Sequence, residues 1–267
     1  MIKVVALLFI FAALVVYFTI SIFNSLKTEM NSLQIEYSDP NVASISFKIA
    51  VIGDIHLGEG DDIEKFLKLL AEVKSKRPDL VLMTGDYITD RRHVKDISSH
   101  RTNIIKTFKS LDPIPRAIVL GNHDVYTDAE AWLSESKRLG VDVLENEVSV
   151  MDVAGVKVCV RGLGDYRSHR FRFVDYPAEC KNLPKITITH DPQGAFEPGV
   201  GGLVFAGHTH CGQVSFPIIG PLKVPTKAPR ADLWTLQGQQ KNAICDIWSW
   251  YKHRADTLWR SVSMGFD

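Results

Sequence analysis

The sequence predicts an α/β sandwich with more than one sheet, preceded by a single transmembrane helix. Three observations predict it. Short apolar runs alternate with amphipathic stretches in the first half of the 267-residue chain, β-like runs crowd the second half, and Val4–Phe23 carries no charge. Alternating strands and helices followed by strand-rich sequence is the pattern of a layered α/β architecture. The length suits one such domain with an appended segment.

The uncharged run VVALLFIFAALVVYFTISIF is long enough to cross the ~30 Å hydrocarbon core of a bilayer as a helix. A cleaved signal peptide would have an apolar region of about 7–15 residues ending at a small-residue site. Here the run continues into SIFNSLKTEM instead. A buried core helix would keep a polar face, and this run has none. Lys3 and the α-amino group precede the run while Lys27 and Glu29 follow it. Positive-inside logic then places the N-terminus in the cytoplasm and the rest of the chain outside. The expected organisation is an anchor at 1–28, a stalk and entry strand at 29–46, a catalytic domain at 47–230, and an atypical tail at 231–267.

Within the domain, Phe47–Ile52 (FKIAVI) is a short β-branched apolar run that stops at Gly53-Asp54, as a buried strand entering a loop does. Asp62–Ser75 follows with Ile63, Phe66, Leu67, Leu70 and Val73 three and four apart, the spacing of an amphipathic helix. The alternation recurs: a strand at Leu80–Met83, a helix at Ile104–Leu111, a strand at Ala117–Leu120 and a helix at Ala129–Leu139. From Val141 the texture shortens to VSVMDVAGVKVCVRGL, then strands at Ile186–Thr189 and Leu203–Ala206.

Five strands end directly in polar clusters: Asp54-Ile55-His56, Gly85-Asp86, Gly121-Asn122-His123-Asp124, His190-Asp191 and Gly207-His208-Thr209-His210. Loops at the C-terminal ends of strands in α/β sheets are where ligands sit. One Gly-Asp or one histidine is an ordinary turn or hydrogen-bonding residue. Asp-x-His and His-x-His are more specific, because alternation along an extended segment would turn both side chains to one face. Five such ends in order, all bearing carboxylate, amide or imidazole donors, point to a metal centre. Those donors suit Mn, Fe, Zn or Co, and the lack of thiolates argues against a structural zinc site.

The order DxH, GD, GNHD, H, GHxH resembles the calcineurin-like metallophosphoesterase superfamily over about Lys48 to Arg230, and the anchored layout is similar to its small membrane-associated bacterial branch. The resemblance implies a sandwich of two mixed β-sheets flanked by helices, and two divalent metal ions. It assigns Asp54, His56 and His210 to one ion, Asn122, His190 and His208 to the other, and Asp86 to both. His123 matches the family's catalytic histidine, with Asp124 as its orienting partner. The implied activity is hydrolysis of a phosphodiester or pyrophosphate-type bond in a phosphorylated small-molecule or lipid-linked substrate. A bridging hydroxide would need no protein nucleophile, leaving His123 to stabilise phosphoryl oxygens or protonate the leaving group. The competing function is a membrane-tethered metal or phosphate binder without catalysis.

Lys+Arg and Asp+Glu balance at 31 each, so no broad basic field exists for a nucleic-acid backbone. Arg91, Arg92, His93 and Lys95 form one local basic run, and Arg167, His169, Arg170 and Arg172 a denser one. Each is either a solvated loop or a phosphate-binding patch. Asp165 either caps a turn or lines the site. The four cysteines, at 159, 180, 211 and 245, show no CxxC pair and are left unassigned.

After Arg230 the resemblance stops. Members of the branch carry a segment like TSGxGTSxxPIR in a β-rich tail, whereas this chain has neither clean alternation nor a helical stripe there. Asp246–Thr257 (DIWSWYKHRADT) can be encoded by codons whose next reading frame spells TSGAGTSIVPIR. We therefore expect a frameshifted tail that supplies no ligand and deprives a sheet of its last strands. The nucleotide sequence of the gene is expected to show those codons, and any other codons end the idea.

Overall fold

Alternation along the strand after the stalk decides how the layers stack. Phe47, Ile49 and Val51 of β2 (Ile45–Ile52) enter one apolar cluster, and Ala50 and Ile52 enter another on the opposite face. The computed structural model describes residues 45–60 and 62–210, together with 11–12, 15–17, 31–37, 215–216, 220–221, 226–227, 241–245 and 258–264. In the first sheet β2, β3 (Leu80–Met83) and β4 (Arg116–Ile118) run parallel. Its order is completed by β1 (Asn31–Tyr37) and β12 (Leu258–Met264) as β1-β12-β2-β3-β4.

The second sheet comprises β5 (Glu147–Val153), β6 (Val156–Gly162), β7 (Lys185–Thr189), β8 (Gly202–Ala206) and β11 (Lys241–Cys245). Their order is β11-β8-β7-β6-β5. The pair β5 and β6 is an antiparallel hairpin turning at Ala154-Gly155, and β6, β7 and β8 are parallel. Both sheets are therefore mixed, as the family resemblance implies. A short two-residue pairing joins β9 (Ser215–Phe216) and β10 (Gly220–Pro221).

The seam between the sheets is Phe47, Ile49, Leu80 and Leu82 from one side against Val160, Ile186, Ile188 and Phe205 from the other. Each such side chain contributes about 1.5–3 kcal/mol on burial. On the outer face of the first sheet, Val81 and Met83 pack under α1 (Asp62–Ser75), α2 (Ile97–Phe108) and α4 (Ala129–Arg138) through Phe66, Leu70, Ile105 and Trp132. A single turn of helix, α3 (Asn122–Tyr126), follows β4.

Helix α2 starts at Ile97 rather than at Ile104. Asp96 caps it by accepting from the Ser99 amide at 3.0 Å. Within its polar first turns His100 and Arg101 are buried, the His100 ring donating to the Leu57 carbonyl and Arg101 to that of Thr127. Apolar periodicity carries no trace of such satisfied polar groups.

The tail supplies strands, contrary to the expectation from sequence. Backbone pairing places β12 between β1 and β2, and β11 against β8. Ladder hydrogen bonds come from the backbone, so clean side-chain alternation is not a requirement for them. Cys159 and Cys180, left unassigned from spacing alone, form a disulfide. No helix among the described residues is long and apolar enough to cross a membrane. The expected anchor at Val4–Phe23 lies outside the described residues, save 11–12 and 15–17, which are helical.

Candidate metal centre

The parallel strands bring their C-terminal ends to one edge of the sandwich, and every predicted site residue lies just beyond such an end. The extended alternation expected for Asp54/His56 and His208/His210 is not what aligns them. Asp54, His56, Asp86, His208 and His210 all have left-handed backbone, with φ between 48° and 68°. Each such non-glycine residue costs about 1–3 kcal/mol, a strain that concentrates at functional sites. The strand ladder of β2 ends at Ile52, and the loop beyond pairs with its neighbour instead: the Asp54 and His56 amides donate to the carbonyls of Gly85 and Asp86, both at 2.9 Å.

Two glycines let the ends of β3 and β4 meet. Gly85 has φ +101°, and a Cβ there would collide with the Gly121 backbone. A Cβ on Gly121 would strike the Asp86 carboxylate. Into this junction Asp124, 0 % exposed, turns its carboxylate. Oδ2 accepts from the amides of Asp86 and Gly121 at 2.8 and 2.9 Å, and Oδ1 from those of Tyr87 and Ile88 at 2.9 and 3.2 Å. Asp124 is therefore a clamp on the Asp86 loop. Its oxygens are engaged by four backbone donors.

Asp86 stands in the middle of the site. Its Oδ1 accepts from the His123 amide at 2.8 Å. Its Oδ2 lies 3.6 Å from His56 Nε2 and 3.3 Å from His190 Nε2. Among the described residues, three groups of side chains have ligand atoms within 4.8 Å of one another: Asp54 with His56 and His210, His56 with Asp86 and His123, and Asp86 with His190 and His208. Asp86 is common to the last two. His56 Nε2 and His210 Nε2 point at one another 3.3 Å apart, with the rings nearly parallel. His123 meets the His56 ring edge-on at 4.5 Å.

The surroundings keep these donors ready for a cation. Burial depresses His56 to a pKa of about 3, with His210 and His123 adding to it against the pull of Asp86. Burial likewise lowers His210 to about 4. Both rings are neutral at neutral pH, the form that binds metal. Burial alone would lower His190, but the carboxylates of Asp86, Asp54 and Asp165 raise it well above the usual histidine range. Burial would raise Asp86, yet His190 and His56 hold it well below the usual carboxylate range. A negative cavity that draws a proton onto His190 would draw a divalent ion more strongly. Asp124, by contrast, is pushed up to about 7 by burial and by Asp86.

The donor set fits such an ion by two further observations. Asn122 Oδ1 is buried and accepts no hydrogen bond. His190 Nδ1 donates to the Thr84 carbonyl at 2.8 Å, so Nε2 is the ring nitrogen that faces the site and would bind an ion on losing its proton. Thr84 escaped notice in the sequence because a backbone carbonyl leaves no residue-type signal. Asp191, next to His190, accepts from the Gln193 amide and the Thr226 hydroxyl, so it caps a turn. Of the basic runs, Arg92 is held by Asp90, and Arg170 by Glu145 and Glu130.

Comparison with known proteins agrees with this geometry. Residues 47–212 match the family model described as calcineurin-like phosphoesterase. Phosphodiesterase YaeI of Escherichia coli is 27% identical over 190 residues, covering 69% of this chain and 68% of that protein. An uncharacterized metallophosphoesterase of Campylobacter jejuni, Cj0846, is 32% identical over 219 residues, covering 76% of this chain and 54% of that one. The 5'-nucleotidase precursor of Thermus thermophilus shares the fold, with a TM-score of 0.52 at 14% identity over 83% of this chain and 55% of that chain. The matched region thus spans between about half and two thirds of these proteins.

The Asp124 clamp can be tested directly. Asp124→Ala orphans four buried amides at about 1–3 kcal/mol each, partly offset by relief of a buried carboxylate. Urea unfolding of the metal-free variant is expected to show a net loss of about 2–4 kcal/mol, and elemental analysis a reduced metal content. A residue that only oriented the His123 ring would leave both unchanged.

Proposed function

The chain belongs to the calcineurin-like phosphoesterase family, and from that premise we propose that it hydrolyses a phosphodiester or pyrophosphate-type bond using two divalent ions. The observation that carries this proposal is the sharing of Asp86 between neighbouring ligand groups, which suits a carboxylate touching two ions at once. Asp54, His56 and His210 would hold one ion, and Asn122, His190 and His208 the other. Bound there, divalent ions would supply Lewis acidity toward the phosphoryl group and activate water.

The chain's own residues account for the rest. The His123 amide orients Asp86 through Oδ1, leaving Oδ2 toward the His56 and His190 rings. The His123 ring, half-buried beside His56, would pass a proton from a ring nitrogen to the leaving oxygen. Gly85 and Gly121 admit the close backbone approach, and Asp124 holds it. The phosphodiesterase name of the Escherichia coli relative supports the bond class. A phosphorylated small molecule or lipid-linked phosphate is the substrate class we propose. A tethered binder without catalysis would bind metal yet never turn over.

Wild-type protein is expected to carry two equivalents of metal and to cleave bis(4-nitrophenyl) phosphate with added Mn²⁺. His123→Ala should keep both equivalents. If His123 donates a proton, the variant should lose about 10²–10⁴-fold in kcat/KM on alkyl esters and far less on nitrophenyl esters. Similar losses on both would assign it to oxyanion stabilisation instead. Loss of metal, or full activity on both esters, would remove His123 from the mechanism.

For location, we propose that Val4–Phe23 anchors the protein with the catalytic domain outside the cytoplasm. The uncharged run supports the anchor, and the Cys159–Cys180 disulfide supports the oxidising side, where such bonds persist. Full-length protein is expected in the membrane pellet after carbonate extraction, and protein lacking the first thirty or so residues in the supernatant. Recovery of the full-length chain as soluble protein would refute the anchor.

A further inference from the structure

A sixth strand end opens on the same edge of the sandwich. β6 runs parallel to β7, so Gly164-Asp165 beyond it emerges beside His190. Asp165 is 1 % exposed. Its Oδ2 caps a turn by accepting from the Ser168 amide at 2.7 Å. Its Oδ1 is buried and has no hydrogen-bond partner, and neither has the Ser168 hydroxyl in the same turn. A buried, unsatisfied polar atom costs about 1–3 kcal/mol, more when it is charged. Native structures leave few such atoms without a water or an ion to pair them. Its negative charge also lies within electrostatic reach of the His190 and His208 rings.

The turn itself is firmly built. Asn146 Oδ1 accepts from the Gly164 and Arg172 amides at 2.9 and 2.8 Å, and its Nδ2 donates to the Arg170 carbonyl at 2.9 Å. The amides of Arg170 and Phe171 donate to the Asp165 carbonyl. Arg161, beneath the loop, donates to the Val174 carbonyl at 3.1 Å. With the backbone braced from three sides, a free oxygen is not explained by a loose loop.

Building on the assignment of Asn122, His190 and His208 as ion ligands, we propose that Asp165 is a positioning residue of the centre. Its Oδ1, with the Ser168 hydroxyl, anchors an ordered water on the His190 and His208 side and sets how tightly that side holds a divalent ion. A carboxylate acceptor and a rotatable hydroxyl together match the donor and acceptor needs of one water. Outer partners of this kind tune metal affinity without touching the ion.

The test is calorimetric titration of Mn²⁺ into metal-stripped, full-length protein. The equivalent belonging to the His190 and His208 side is identified as the one that His208→Ala abolishes. Asp165→Asn keeps an oxygen for the Ser168 amide, so the turn survives, but it loses the negative charge. D165N is expected to weaken that equivalent about 10–100-fold. The other equivalent and the metal-free Tm should match wild type. Ser168→Ala should weaken the same equivalent by a smaller factor. Wild-type Mn²⁺ affinity in D165N, equal weakening of both equivalents, or loss of the metal-free fold would each overturn the proposal in favour of a purely structural turn. Fewer than two equivalents in wild-type protein would instead overturn the two-ion assignment, and this proposal with it.

Discussion

Four backbone amides, those of Asp86, Tyr87, Ile88 and Gly121, converge on the buried carboxylate of Asp124. That convergence ties the end of β3 to the end of β4 and holds Asp86 in a left-handed conformation that a free loop would seldom populate. Everything else at the site is referred to Asp86. Its Oδ1 is fixed by the His123 amide, and its Oδ2 lies between the imidazoles of His56 and His190. Gly85 and Gly121 are the steric condition for this arrangement, since a side chain at either would occupy the space of the other loop.

The same crowding sets the electrostatics. Neutral His56 and His210 face each other with their Nε2 atoms 3.3 Å apart, while His190 is raised by three carboxylates. A protein with no use for a cation would place neither an orphan amide oxygen nor so much negative charge in one cavity. The hydrophobic seam between the sheets makes this affordable, because burial of residues such as Phe205 and Ile188 stabilises the frame against local strain.

Much of the fold was legible in the chain because strand and helix periodicity are local. Asp62–Ser75 is read correctly from apolar spacing three and four apart, and the strands at Leu80–Met83 and Leu203–Ala206 from short apolar runs. The start of α2 was not, since buried His100 and Arg101 are satisfied by carbonyls distant in sequence. The strands of the tail were likewise hidden, because backbone pairing is indifferent to the side-chain pattern that marks a strand.

By itself the sequence determined which residue types stand beyond each strand end, and so that carboxylate, amide and imidazole donors would share one edge. Donor chemistry belongs to each side chain, and in the first half of the chain the shared strand direction follows from alternation with helices. Only the tertiary structure decided the left-handed backbone that aims Asp54, His56, His208 and His210. It also decided that Asp124 clamps a loop, that the Thr84 carbonyl holds the His190 ring, that Cys159 meets Cys180, and that Asp165 keeps a buried oxygen in reserve. The Asp124, Thr84 and Cys159 contacts join segments far apart in the chain, and their meeting depends on how strands and sheets pack, which no local pattern encodes.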